Sequence, residues 1–286
     1  MNITLSLQRK IKDEKIMNGL LAGFNPITLD EMSGIRLMNR TDTKFVTDIE
    51  TLRLVLGEAQ NEYRVQEVDG VRNIPYYTVY FDTNDFDMFT AHHDGRSRRQ
   101  KVRIRSYVNS NLSFLEVKTK DNHGRTKKKR IEVNHFDPQN PQIQIPSYPQ
   151  DEDYINCRRF LNKNVAYDAE SLDEKLENKF TRITLVNNAK TERLTIDTNL
   201  EFHNLSTDNL IRLNRLAVIE LKRDGLQDSP ILEILRRLRV RHGGFSKYCM
   251  GAALTDCSLK QNCFKPKLRS ILKRWKPNLL RKPIMC

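Results

Sequence analysis

The run KVRIRSYVNSNLSFLEVKTKDNHGRTKKKRIEV, residues 101–133, decides the reading of this chain. Successive residues of a strand point to opposite faces, so alternation splits each strand into two columns. Lys101, Arg103, Arg105 and Tyr107 stand against Val102 and Ile104. Phe114, Glu116, Lys118 and Lys120 stand against Leu115, Val117 and Thr119. Lys128, Arg130 and Glu132 stand against Lys129, Ile131 and Val133. Asn109-Ser110-Asn111 and Asp121-Asn122-His123-Gly124 are turn signals. Three strands over 100–108, 113–120 and 128–134 are therefore expected to form a meander.

The same period of two recurs at 74–82, 180–186, 193–200 and 216–222, with Arg182, Arg193, Glu220 and Lys222 on the polar columns. Helical spacing predicts an opening helix from Asn25 to Met38, after which a short strand is read at 44–47. A helix over Ile49–Ala59 follows, with Leu52, Val55, Leu56 and Ala59 on one stripe. Ser229-Pro230 opens a helix toward Val240, Gly243-Gly244 breaks it, and Ser246 caps another through Thr255. Four of the ten prolines fall in 135–156, which reads as a surface excursion. His92-His93-Asp94 reads as a loop approaching a strand rather than as a metal site. The fold class is α+β, with six or more antiparallel strands in a closed or nearly closed sheet.

Composition narrows the partners. Of 286 residues, 38% are hydrophobic and 30% charged, and Lys+Arg exceed Asp+Glu by a net +13. Residues 259–286 hold nine basic residues and no acid, so +13 less these nine leaves +4 for the rest. Nucleic acid, the usual inference from a basic chain, is thus not favoured for the body. The tail carries Leu268, Ile271, Leu272 and Trp275 at helical spacing, which suits an anionic membrane surface or a membrane-protein partner. Phe264 and Trp275 are too few aromatics for a single-strand binder. Five cysteines without a C-x-x-C pair indicate neither a disulfide framework nor zinc, and no apolar run reaches membrane-spanning length. The expectation is a cytoplasmic protein with an option of membrane association.

A solvated polar face would account for plain alternation. Here the polar columns are dominated by Arg and Lys, and nearly every strand contributes one. Closed with that face inward, the sheet would enclose about ten cations, which need water and a polyanion because unpaired buried charge is costly. Arginine forks match phosphate oxygens, and scattered carboxylates could share a divalent cation with them.

In order along the chain stand Asp42-x-Lys44, Tyr80-Phe-Asp82, Lys101-x-Arg103-x-Arg105, Glu116-x-Lys118, Lys128-x-Arg130, Phe180-x-Arg182, Arg193-x-x-x-Asp197, Glu220-x-Lys222 and Phe245-x-Lys247-Tyr248. This series resembles the polyphosphate polymerase domain of the vacuolar transporter chaperone (VTC) family, within the CYTH or triphosphate tunnel metalloenzyme superfamily. The resemblance implies an antiparallel β-tunnel of about eight strands with a basic lumen and helices outside. It implies a domain over 25–258, with an extension at 1–24 and a basic tail at 259–286. Lys44, Arg103, Arg105, Lys118, Lys128, Arg130, Arg182, Arg193, Lys222 and Lys247 would be phosphate ligands, and Glu220 would hold Mn²⁺ or Mg²⁺. Arg103, Arg105, Lys247 and Glu220 would serve catalysis. The implied activity is polyphosphate synthesis from ATP; an inorganic or nucleoside triphosphatase and a non-catalytic polyphosphate sensor stay open. The superfamily's first-strand E-x-E-x-K is here Arg40, Asp42, Lys44, and the position three before Lys247 is Gly244, so the site is weighted toward phosphate binding.

Overall fold

The computed structural model describes residues 13–35, 40–133, 152–225 and 228–274. Its strands fall on one main path, ordered β2 (Arg40–Asp48), β11 (Leu216–Asp224), β9 (Glu192–Asn204), β8 (Asp173–Asn187), β4 (Ile74–Asp82), β5 (Arg99–Tyr107), β6 (Leu112–Lys120) and β7 (Thr126–Glu132). Registers are antiparallel between β2 and β11, β11 and β9, β4 and β5, β5 and β6, and β6 and β7. The chain divides into two compact units, and the long strands β8 (Asp173–Asn187) and β9 (Glu192–Asn204) run through both. The α+β class and the eight-strand antiparallel path expected from the resemblance are both present.

The first unit comprises residues to Ile74, Thr181–Asn199 and Arg215–Phe245. It holds β1 (Asn25–Ile27), β2 (Arg40–Asp48), β3 (Tyr63–Gln66) and β11 (Leu216–Asp224). Its helices are residues 13–22 (α1), α2 (Leu29–Ser33), α3 (Ile49–Ala59) and α6 (Pro230–Arg237). Helix α3 begins where Asp48 accepts from Thr51 N at 2.8 Å, and it buries Ile49, Leu52, Val55, Leu56 and Ala59. These meet Ile183, Leu185, Leu194, Ile196, Ile219 and Leu221, the apolar columns of the strands, with Ile231, Ile234 and Leu235 of α6. Met17, Leu21 and Phe24 of the N-terminal stretch belong to the same core.

The second unit comprises Pro75–Phe180, Leu200–Asn214 and residues from Ser246 on. It holds β4 (Ile74–Asp82, all but its first residue), β5 (Arg99–Tyr107), β6 (Leu112–Lys120), β7 (Thr126–Glu132) and β10 (Leu210–Leu213). Its helices are α4 (Asp87–His93), α5 (Glu152–Asn164), α7 (Lys247–Thr255) and α8 (Lys265–Arg274). Tyr77, Val79, Phe81, Val102, Ile104, Leu115 and Val117 turn one sheet face into a core with Cys157 and Leu161 of α5. Helix α7 lies close to the sheet at Gly251, where an added Cβ would meet Phe202 and Leu176 side chains at 2.5 and 2.6 Å. Gly251→Ala is expected to cost about 1 to 2 kcal/mol in urea unfolding, because the ring and isobutyl groups are already packed.

Several expectations need correction. Of the described part of the expected opening helix, only Leu29–Ser33 is helical, and residues 36–38 lie outside the described residues. Asn25–Ile27 instead pairs in parallel with β3, and Thr28 starts the helix through a capping box with Glu31. The stretch around His92 is the end of α4, not a loop. Asp82, at the end of β4, accepts from Met88 N and Phe89 N at 2.9 Å and so caps a helix that lacks a cap of its own. The helix after Ser229 stops at Arg237, where Leu238 closes the turn and Arg239 takes a left-handed φ of 55°. Ser229 itself makes no side-chain cap; Tyr63 Oη receives Ile231 N instead. Residues 152–156 of the expected excursion are the first turn of α5; the remainder lies outside the described residues. The tail is structured as far as 274, and Phe264, Leu268 and Ile271 are buried. Phe264 packs on Phe89 and His93, so its ring is not offered to a base. Trp275 lies outside the described residues. Among those described, no helix is long and apolar enough to cross a membrane.

Candidate functional site

The polar columns become two clusters, one in each unit. In the first unit, β11 lies between β2 and β9, and Glu220 is in register with Lys44 on one side and Thr195 on the other. One step along, Lys222 is in register with Asp42 and Arg193. The sheet thus sets Lys44, Glu220, Lys222 and Arg193 on one face.

Lys222 Nζ donates to Glu220 at 2.7 Å and to Thr195 at 2.9 Å, while Lys44 Nζ stands 3.8 Å from Glu220 and donates to the Phe245 carbonyl at 3.1 Å. Arg182 grips Asp197 with both ends of its fork, at 2.6 and 2.8 Å. Burial alone would raise the Glu220 carboxyl, but Lys44, Lys222 and Arg182 outweigh it and hold the group well below the carboxylate range. Burial pushes the Lys222 ammonium down to about 8, although Glu220 opposes the shift.

In the second unit, three cross-strand rows repeat along β5, β6 and β7. Arg105, Phe114 and Glu132 form the first, Arg103, Glu116 and Arg130 the second, and Lys101, Lys118 and Lys128 the third. Glu116 is 2% exposed; it accepts from Arg103 Nε at 2.8 Å and from Lys128 Nζ at 2.9 Å. Its burial is again outweighed, here by Arg103, Arg105 and Lys128, so the carboxyl stays well below its ordinary range. The third row puts three lysines side by side on one face. Like charges directly opposite are destabilising, and the row is offset in part by Glu116, which holds Lys128, and by Ser246, which holds Lys101.

Helix α7 closes the cluster. Ser246 caps it, accepting from Cys249 N at 3.2 Å, and also accepts from Lys101 Nζ at 2.8 Å. Lys247, the first helical residue, holds its ammonium 4.5 Å from the Phe180 ring centre. Tyr248 Oη donates to the buried Asp82 at 2.5 Å, which pins the first turn in place.

The expected residues thus separate into Lys44, Arg182, Arg193, Glu220 and Lys222 in one unit and Arg103, Arg105, Lys118, Lys128, Arg130 and Lys247 in the other. Sequence reading missed His92, whose Nε2 is 3.4 Å from Lys101 Nζ, and the bond from Lys101 to Ser246. The alternation in β5 and the cap at Ser246 were both visible signals; the helix carrying His92 was not. His93 is buried between Phe89 and Phe264 and accepts from Cys263 N. Among the described residues no group of three or more His, Cys, Asp or Glu could hold a metal ion. Glu220 offers a hard oxygen donor ringed by cations. One carboxylate is too few donors for an ion caged by protein, so any ion it held would take its other ligands from elsewhere.

A profile of the VTC domain matches residues 39–255. The chain belongs to the VTC domain family. No curated protein matches it by sequence. Solved structures similar to it include a Hippeastrum adenylyl cyclase candidate described as having a dominant triphosphatase activity. That likeness has 16% identity and a TM-score of 0.46, covering 76% of this chain and 96% of that one. A candidate adenylate cyclase from Vibrio parahaemolyticus follows at 8% identity and 0.40, covering 74% and 96%. A Pyrococcus horikoshii protein stands at 16% identity and 0.40, covering 73% and 96%. These likenesses assign neither residue nor activity to this chain.

Proposed function

We propose that the protein is a metal-dependent phosphoryl-transfer enzyme acting on triphosphates through the cationic faces of a β-tunnel, and that it makes polyphosphate from ATP. The adjacent rows Lys101–Lys118–Lys128 and Arg103–Glu116–Arg130 carry this reading: they gather five cations in register around the buried Glu116 carboxylate, a clustering that suits a polyanion. Arg103, Arg105, Lys118, Lys128 and Arg130 would hold phosphate oxygens on one face, with Lys247 at its helix start. Lys44, Arg182, Arg193 and Lys222 would do so in the first unit. Phosphoryl transfer asks for positioning and charge neutralisation more than for covalent chemistry, and fixed guanidinium forks supply both. Mn²⁺ or Mg²⁺, held by Glu220 and substrate oxygens, would add neutralising charge at the transferring group.

Water as nucleophile would need a base or a bound metal ion, and Glu116, one carboxylate placed for that role, is ion-paired with Arg103 and Lys128. The terminal phosphate of a growing chain is already anionic, which supports the polymerase reading. Purified protein given ATP and Mn²⁺ should yield polyphosphate chains resolvable on a gel. Free phosphate without chains would assign a triphosphatase, and tight polyphosphate binding without turnover would assign a sensor.

A further inference from the structure

The geometry points to a nucleobase platform at the aromatic end of the β4–β6 face, which makes the triphosphate a nucleoside triphosphate bound in one orientation. The inference rests on the triphosphate reading above and adds which end of the ligand lies where. The polar face of these strands changes character in one direction. Tyr76 is in register with Tyr107; next comes Arg105 with Phe114, then Arg103 with Glu116, then Lys101 with Lys118, then Arg99 with Lys120. On β5 and β6 aromatic rings stand at one end and cations at the other, while on β4 the face also carries Tyr80, in register with Arg103.

The rings touch. Tyr76 and Tyr107 are 5.0 Å apart between centres, and Tyr107 meets Phe114 edge-on at 6.0 Å. Tyr76 is buried, but Tyr107 and Phe114 are only half-buried and keep surface for a further planar group. Cations lie over rings at the junction: the Arg130 guanidinium is 4.3 Å from the Phe114 centre, and that of Arg105 is 5.8 Å from Tyr76. A base stacked on Tyr107 or Phe114, or on the Arg130 plane, would bring its ribose and α-phosphate to these guanidinium groups. From Tyr107 to Arg103 is four residues and to Lys101 six, roughly 13 to 20 Å along a strand. An extended nucleoside triphosphate spans a comparable distance from base to terminal phosphate. Its γ-phosphate would then reach the lysine row, with Arg99 and Lys120 beyond it.

Calorimetric titration of the full chain with ATP and with inorganic tripolyphosphate tests this. Phe114→Leu and Tyr107→Leu keep apolar volume and remove the π face. Each should weaken ATP roughly tenfold while tripolyphosphate affinity stays within about twofold of wild type. If both ligands weaken together, or neither does, the rings only pack strands and the platform is wrong while the triphosphate reading survives. If the wild type binds neither ligand, both readings fall. Should a variant not fold, the wild type still decides: 2-aminopurine riboside triphosphate should lose fluorescence on binding by stacking, and unchanged fluorescence overturns the platform.

Discussion

Arg103→Ala is expected to lower triphosphate turnover by at least ~10²-fold, the usual loss when a fixed donor to developing charge is removed. Two effects combine. One is the missing fork itself, which bonds directly to the buried carboxylate of its row. The other comes from what remains. Glu116 keeps Lys128 as a hydrogen-bonded cation and Arg105 nearby, but the face proposed to hold phosphate has lost one positive charge and kept the carboxylate. The double variant Arg103→Ala, Glu116→Gln should therefore recover part of the lost triphosphate affinity, by roughly tenfold, the size of one charge-assisted contact. A role confined to holding β5 against β6 gives the opposite order, with the double variant worse than the single. Steady-state rates and calorimetric affinities on both proteins separate the cases, with thermal melting to confirm folding. Turnover within threefold of wild type for Arg103→Ala would remove the second unit from the reaction.

Period-two alternation made the faces of β5, β6 and β11 legible, because a strand has no other way to place successive side chains. Helix α3 was legible for the same kind of reason: Leu52, Val55, Leu56 and Ala59 mark one stripe, and the structure adds Asp48 as its cap. Helix α4 was hidden. Phe86 before it is left-handed, and its cap comes from Asp82, which sequence assigns to the preceding strand. The tail shows a different limit. Leu268 and Ile271 were correctly spaced for a helix, but spacing cannot say whether an apolar stripe meets a membrane or the protein's own core. Here it is buried. The pairing of cations with carboxylates was also out of reach. That Glu116 lies between Arg103 and Lys128 follows from the register of three strands, which no single strand encodes.

Triphosphate affinity should fall as pH rises through about 8, and Lys222 should be the cause. Burial holds its ammonium down at about 8, so at pH 7 it is charged and at pH 9 mostly neutral. A phosphate bound beside it favours the charged form, so binding above pH 8 should take up a proton. Calorimetry in buffers of different ionisation heat detects that uptake. Losing one charge-assisted contact should weaken binding about tenfold or more. Stability should move the other way. The folded-state value lies below the ordinary lysine value of 10.5, so between pH 8 and 10.5 the unfolded chain binds more protons than the folded one. This group's contribution therefore becomes more favourable to folding as pH climbs through that window. Lys222→Arg keeps its charge throughout and should flatten the binding profile between pH 7 and 9. A profile that falls as steeply in Lys222→Arg as in the wild type would place the titrating group elsewhere. The opposed signs are the useful part, since general alkaline unfolding would lower affinity and stability together. Only a cation kept at a cost for its ligand loses one while gaining the other.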